Sequence, residues 1–137
     1  MISIINGTKL FGRDTWVPVV FHTQIPEVAV YSLTDHTPVF EVPSVKWAWC
    51  TDFITILCRV HDKVTRTRVE PFQLVVVDQD GNAVTARELT LNSEILVGSA
   101  ISRVIGLRMD HVIGSVAHVA CSQAGVVVVD SGMYLRT

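Results

Sequence analysis

The chain has 137 residues, 49% of them hydrophobic and 18% charged, and its formal net charge at pH 7 is −2. This length predicts one domain, spanning residues 1–137, whose core is large enough to need neither a disulfide nor a metal. The near-neutral charge without runs of Lys or Arg predicts no nucleic-acid surface, and no apolar run approaches the ~18 residues of a membrane-spanning helix.

Short apolar runs rich in Val and Ile follow one another along the chain, and Gly, Pro, Asn and Asp interrupt them at short intervals. This pattern is typical of an all-β domain of many short, mostly antiparallel strands. Asp80-Gly81 predicts a tight hairpin turn with a positive φ angle at Gly81. Only Ala86–Leu89 has the character of a helical turn. The predicted strands are, in chain order, Lys9–Phe11, Thr15–Val20, Val28–Ser32, Val39–Lys46, Phe53–Val60, Thr65–Arg68, Gln73–Val77, Ala83–Thr85, Glu94–Val97, Ile101–Leu107, Ser115–Ala120 and Val126–Val129.

Two apolar segments have features of an interface. Trp47 and Trp49 alternate along one strand and therefore face the same side, either in the core or as an exposed aromatic anchor for a partner. The run Val126–Val129 is apolar without alternation, which predicts a strand covered on both faces or an edge covered by a partner. Because the chain is also unusually apolar, we expect self-association or a protein partner.

The cysteines and histidines form no pattern of a metal or cofactor site. The three cysteines are odd in number and contain no C-x-x-C pair, so we expect free, mostly buried thiols. They are Cys50, Cys58 and Cys121. His111 either pairs with the adjacent Asp110 or joins His118 at a metal, but no known ligand set has this spacing, and we predict no metal and no cofactor. The first residues lack the basic region of a signal peptide, so we expect a cytoplasmic protein.

Residues 67–98 carry the most specific signal. Thr67 is followed three residues later by Glu70, then by Pro71-Phe72, an apolar strand, the Asp80-Gly81 turn and the segment Ala86–Leu89. This order resembles the second half of the Hint fold, which inteins, hedgehog autoprocessing domains and bacterial intein-like domains share. Three further segments resemble other parts of that fold in the same order. They are Gly7-Thr8 with its following hairpin, Val28–Leu33 with Asp35, and the final stretch from Gly125 to Thr137.

The resemblance implies a horseshoe- or disk-shaped β domain with adjacent termini and a self-cleaving site between them. Splicing in that family needs a Cys or Ser nucleophile, a Thr and a His in the second block, and a terminal His-Asn pair. Only Thr67 matches this requirement, and we expect the reaction centre to be lost. The other relic positions are Ile4 or Ser3 for the nucleophile, Glu70 for the His, and Arg136 and Thr137 for the His-Asn pair. We also expect little peptide before Ser3 or after Thr137 that cleavage could release.

The sequence therefore predicts a non-catalytic intein-like domain that serves as a structural or interaction module, one such role being a phage virion protein of the capsid or tail decoration type. One alternative is residual autoprocessing, with Ser3 or a cysteine as the nucleophile. Another is a small-ligand binder that uses a relic cleft around Thr67, Glu70, Cys121 and Arg136. We also expect Glu70 and Arg136 to form an ion pair across that cleft.

Overall fold

The computed structural model describes all of residues 1–137, and its regular secondary structure is almost entirely β-strand. One 3-10 turn, Ala86–Glu88, is the helical element. No helix in it has both the length and the apolar character to cross a membrane. The strands are β1 Ile2–Ile5, β2 Lys9–Phe11, β3 Trp16–Pro18, β4 Val28–Tyr31, β5 Pro38–Glu41, β6 Ser44–Cys50, β7 Phe53–Val60, β8 Lys63–Val69, β9 Leu74–Val76, β10 Ala83–Thr85, β11 Glu94–Val97, β12 Ala100–Asp110, β13 Gly114–Ala120, β14 Val126–Val128 and β15 Tyr134–Arg136.

The strands form four antiparallel sheets, in which hairpins of consecutive strands are joined by pairings between strands far apart in the chain. A three-stranded sheet has the order β1-β13-β6, and a four-stranded sheet has the order β11-β12-β7-β8. A six-stranded sheet has the order β10-β9-β15-β14-β4-β5, and β2 pairs with β3. The first strand therefore lies beside the thirteenth, and the last strand lies between β9 and β14.

A single main core connects the sheets. Ile4 from β1, Leu10 from β2, Ile56 from β7 and Leu135 from β15 all belong to it and are at most 1% exposed. The alternation of each strand supplies these residues, because every second side chain points to the same face. A smaller cluster of buried side chains lies against the other face of the six-stranded sheet. It consists of Val76, Leu96 and Val126.

Several predicted elements are confirmed. The Asp80-Gly81 turn joins β9 to β10, Gly81 has a φ angle of +84°, and the Val77 N–H donates to the Asn82 carbonyl at 2.8 Å. The Asp78 carboxylate accepts from the Asp80 and Asn82 N–H groups and fixes this turn. The helical turn lies where the sequence predicts it. Strand β14 is covered on both faces, as its unbroken Val run predicts, because Val127 faces the main core and Val126 the smaller cluster.

Other predicted boundaries are wrong. The predicted strand Val39–Lys46 is two strands, β5 and β6, which belong to different sheets. Pro43 lies at the break, where its missing N–H cannot continue a ladder. Two short strands at the chain ends, β1 and β15, are absent from the predicted strands. Strand β1 has four residues and pairs with the distant β13, and β15 has three residues between its hairpin partner β14 and the distant β9.

Candidate functional site

The first and last strands lie close together, and a cavity of about 160 Å³ opens where they meet the turn between β8 and β9. Three chain segments form its wall: the start of β1, the turn after β8, and the end of β15. The lining residues are Met1, Ser3, Glu70, Phe72, Gln73, Leu74, Arg136 and Thr137. The sequence-predicted positions Ser3, Glu70, Arg136 and Thr137 are thus brought to one place.

Strand alternation separates the two candidates for the nucleophile position. Ile4 points into the main core and is 1% exposed. Ser3, its neighbour, lines the cavity. Ser3 also lies directly opposite His118 in the pairing of β1 with β13. The cavity therefore contains Ser3 and excludes Ile4.

Glu70, immediately after β8, is held by two half-buried partners. One carboxylate oxygen is 3.3 Å from His118 Nε2, and the other is 3.3 Å from Cys50 Sγ. The Cys50 thiol also lies 3.0 Å from the Asp52 carbonyl oxygen. Burial raises the pKa of the Cys50 thiol, and the Glu70 carboxylate raises it further. The thiol is consequently protonated near neutral pH and is a poor nucleophile.

Gln73 joins the two ends of the chain at the cavity. Its Oε1 accepts from the Ser3 N–H at 2.7 Å, and its Nε2 donates to the Arg136 and Leu74 carbonyl oxygens at 3.0 Å each. The side chain is buried, so these bonds satisfy groups that water does not reach. Sequence reasoning missed this residue, and its one signal is a Gln at the start of an otherwise apolar strand.

The prediction of an ion pair between Glu70 and Arg136 is wrong. The Arg136 guanidinium turns toward the Asp80-Gly81 turn, where Nη1 donates to the Gly81 carbonyl oxygen at 2.8 Å. Nε lies 3.4 Å from the Thr137 carbonyl oxygen. Glu70 instead pairs with His118, because β13 runs beside β1 and places that residue opposite Ser3.

No family model matches the chain, and no curated protein matches it. Solved structures do. The bacterial intein-like domain from Clostridium thermocellum matches with a TM-score of 0.75 and 13% identity, over 100% of this chain and 99% of that one. The TvoVMA intein matches with a TM-score of 0.71 and 12% identity, over 97% and 96% of the two chains. The transcription factor IIB Mvu mini-intein matches with a TM-score of 0.67 and 8% identity, over 100% of both.

The chain has an intein-like Hint fold. At these identities the likeness concerns the fold alone. Within the Hint fold, the cavity between β1 and β15 is where the resemblance in the sequence leads one to expect the self-cleaving site, and its walls carry Ser3, Glu70, Arg136 and Thr137.

Thr67 and Cys121 do not reach this part of the Hint fold. The Thr67 hydroxyl donates to the Ser131 hydroxyl, and neither residue lines the cavity. Cys121 is half-buried against the main core. The expected cleft around Thr67, Glu70, Cys121 and Arg136 therefore contains only two of the four. The volume of the cavity between β1 and β15, about 160 Å³, is also below the ~300 Å³ at which ligand pockets usually begin.

The remaining histidine expectations are also corrected. His111 Nδ1 lies 2.6 Å from the Asp52 carboxylate, and not beside Asp110. Asp110 instead contacts Thr55 and Arg108. No three side chains of the His, Cys, Asp and Glu types are arranged to hold a metal ion.

Trp47 and Trp49 face the same side of β6, as predicted, and both contact the Phe21 ring. Their ring centroids lie 5.3 Å and 6.3 Å from that of Phe21. Trp47 is half-buried and packs against the core, whereas Trp49 is 72% exposed. Only Trp49 therefore has the exposure of an interface anchor, and the role itself stays a prediction.

A second, larger cavity lies on the six-stranded sheet, away from the termini. Its volume is about 440 Å³, and apolar side chains such as Tyr31 and Leu96 dominate its wall. Two of its polar members are bonded within the chain: the Tyr134 hydroxyl donates to the Gly98 carbonyl, and Asp78 holds its own turn. None of the candidate site residues from the sequence lines this cavity.

Proposed function

We propose that this chain is a non-catalytic intein-like domain that acts as a structural or interaction module. One observation carries the proposal: Glu70, at the position of the expected His, has both carboxylate oxygens engaged by His118 and Cys50. A group held in this way supports the packing of β6 and β13 against the end of β8. It is not free to donate a proton to a leaving amine.

The C-terminal positions support the same proposal. A guanidinium has hydrogen-bond donors and no acceptor, so Arg136 cannot replace a His as a general base. Thr137 has no side-chain amide and cannot form a succinimide, and its hydroxyl accepts from the Gly125 N–H at 3.2 Å. Both residues thus support local structure at the end of β15.

An interaction role fits the exposed aromatic side chains. Trp49 and Phe21 lie together at the surface, and clusters of exposed aromatic residues are common at the centres of protein interfaces. A virion role of the capsid or tail decoration type is one form of this proposal. Structural phage genes on either side of the gene favour it, whereas a host gene interrupted by the coding sequence favours splicing.

The test fuses a soluble tag to each end of the chain and follows the fusion by mass spectrometry with and without added thiol. We expect the intact fusion alone, because no side chain at the cavity is placed to complete both cleavages. Ser3→Ala in the same fusion is the matched control. Release of a tag that this substitution abolishes contradicts the proposal.

A second candidate function is residual self-cleavage at Ser3, and the pairing of β1 with β13 favours it. Ser3 lies opposite His118, and His118 contacts Glu70, which gives the order Ser, His, carboxylate. This order matches a nucleophile, a base and an orienting group. No hydrogen bond joins Ser3 to His118, which is why we rank this candidate second. Cleavage lost in both Ser3→Ala and His118→Phe establishes it.

A further inference from the structure

Strand β6 forms an unpaired edge of the three-stranded sheet. It pairs with β13 on one side, and no strand lies on the other. At seven residues it is long for an edge, and exposed edges of this length are templates for pairing with another strand.

The hydrogen-bond pattern identifies which residues of β6 are free. Asn6 N–H donates to the Ser115 carbonyl, and Ser3 N–H turns away from β13 to Gln73. Because bonding alternates along an antiparallel ladder, Ser115, Ala117 and Val119 bond toward β1, and the residues between them bond toward β6. The register then leaves Val45, Trp47 and Trp49 with N–H and C=O groups directed outward. None of the hydrogen bonds to other segments uses those groups.

A protruding side chain and a cavity lie on this same edge. Trp49 is 72% exposed at one end of β6. At the other end lies a cavity of about 400 Å³, lined in part by Ile25, Val42, Pro43 and Val45. Val45 and Trp49 share a face of the strand because they are four residues apart.

We propose that two copies of this chain associate through β6, antiparallel to each other, about a two-fold axis at Trp47. In that register Trp47 lies opposite Trp47 of the second copy, and Trp49 lies opposite Val45 of the second copy. Each Trp49 ring then enters the cavity beside Val45 of the other copy. The outward N–H and C=O groups of Val45, Trp47 and Trp49 become the hydrogen-bonded pairs of the new ladder. A two-fold contact of this kind uses one surface patch twice.

The charges on the opposite face of β6 fit this register. Lys46 is exposed, and Cys50 of the second copy is one of its diagonal neighbours, about 7–8 Å away and within reach of a long side chain. The Glu70 carboxylate contacts Cys50, so each Lys46 approaches a carboxylate of the other copy. The two Lys46 residues are also diagonal to each other, and these carboxylates offset their repulsion.

The inference deepens the proposed interaction role by naming a second copy as the partner. It holds whether or not the chain cleaves itself. Failure of the association test therefore leaves the absence of self-cleavage untouched, and cleavage in the tag-fusion test leaves the association untouched.

The first test is sedimentation of the purified chain over a range of micromolar concentrations. We expect a monomer–dimer equilibrium that Trp49→Glu shifts to the monomer. Trp16→Glu is the matched control, since Trp16 is also exposed but lies on β3, and this variant stays dimeric. A chain that is monomeric at every concentration overturns the proposal and leaves the edge to a strand of another protein. A dimer that Trp49→Glu does not weaken overturns it too.

The second test fixes the register and keeps Trp49 in place. Ser44 lies opposite Cys50 of the second copy in the proposed pairing, at the ~4.5 Å Cα separation of a non-hydrogen-bonded pair, which lies within the range for disulfides. Mild oxidation of Ser44→Cys is expected to give a covalent dimer. Ser44→Cys combined with Cys50→Ser is expected to give none. A covalent dimer of equal yield in both variants, or in neither, contradicts this register.

Discussion

At the scale of a single residue, Glu70 connects the end of β8 to β6 and β13. Its carboxylate contacts His118 of β13 and Cys50 of β6, and its own backbone carbonyl accepts from the Gln73 N–H at 3.1 Å. The sequence shows that Glu replaces the His expected at this position. It does not show which groups receive the carboxylate, because Cys50 and His118 lie 20 and 48 residues away and no local pattern links them.

This arrangement makes a testable prediction about the Cys50 thiol. Burial is the main cause of its raised pKa, and the negative charge of Glu70 adds to it. Glu70→Gln removes the charge and keeps the shape, so the pKa of Cys50 falls and more thiolate forms at mildly alkaline pH. We expect alkylation of Cys50 in the folded protein to become a few-fold faster, as measured by peptide mass spectrometry.

Two other thiols serve as internal controls in the same experiment. Burial alone raises the pKa of Cys58 to about 11, and the pKa of Cys121 is raised by burial and by Glu41. Neither depends on Glu70, so both should keep their rates. Equal acceleration of all three thiols indicates general loosening of the fold, and an unchanged rate at Cys50 contradicts the contact with Glu70.

At the scale of elements, local sequence signals predicted most of the strands and the turns. Pairings between distant segments determined the remaining strands and the side-chain contacts. The Asp80-Gly81 turn was predictable because four neighbouring residues determine it. Strand β1 was not, since Ile2–Ile5 is defined by its pairing with β13. The prediction also misplaced the guanidinium of Arg136, because its contacts likewise depend on a distant segment. Its position in β15 follows from the sequence, but its contact with Gly81 arises only once β9 and β15 are neighbours.

Gln73 provides a prediction at this scale, because it links β1 to β15. Gln73→Leu leaves the Ser3 N–H and the Arg136 carbonyl without their partner in a site that is largely shielded from water. We expect the free energy of unfolding in urea to fall by about 2–4 kcal/mol. Amide exchange at Ser3 should accelerate as well.

The matched control is Gln79→Leu, the same change at an exposed position of the β9–β10 turn. Its side chain makes no hydrogen bond, so its effect should stay within about 0.5 kcal/mol. If the two variants cost the same, Gln73 does not hold the chain ends together.

At the scale of the whole molecule, the two termini close the fold on itself. Strand β1 pairs with β13, β4 with β14, and β9 with β15, so late segments complete sheets that early segments begin. Met1 and Thr137 line one cavity, and Gln73 bonds to both end strands. The adjacent termini that the Hint resemblance implied are therefore present. Composition and strand pattern alone gave no information on this closure, which depends on strand order.

The adjacency predicts that the chain tolerates circular permutation at a suitable opening. A Gly/Ser linker of about six residues spans roughly 12–15 Å and should join residue 137 to residue 1 without strain. New termini between His61 and Asp62 fall in the exposed β7–β8 turn, which has no bonds to other segments. We expect this permutant to keep the β-sheet circular dichroism and one cooperative unfolding transition.

New termini between Ser131 and Gly132 form the control. There the Asp130 N–H donates to the Lys9 carbonyl and the Gly132 carbonyl accepts from the Gly98 N–H, so opening the turn should be strongly destabilising. If the permutant opened after His61 is no more stable than this control, the chain ends are too far apart for the linker. The proximity of β1 and β15 is then contradicted.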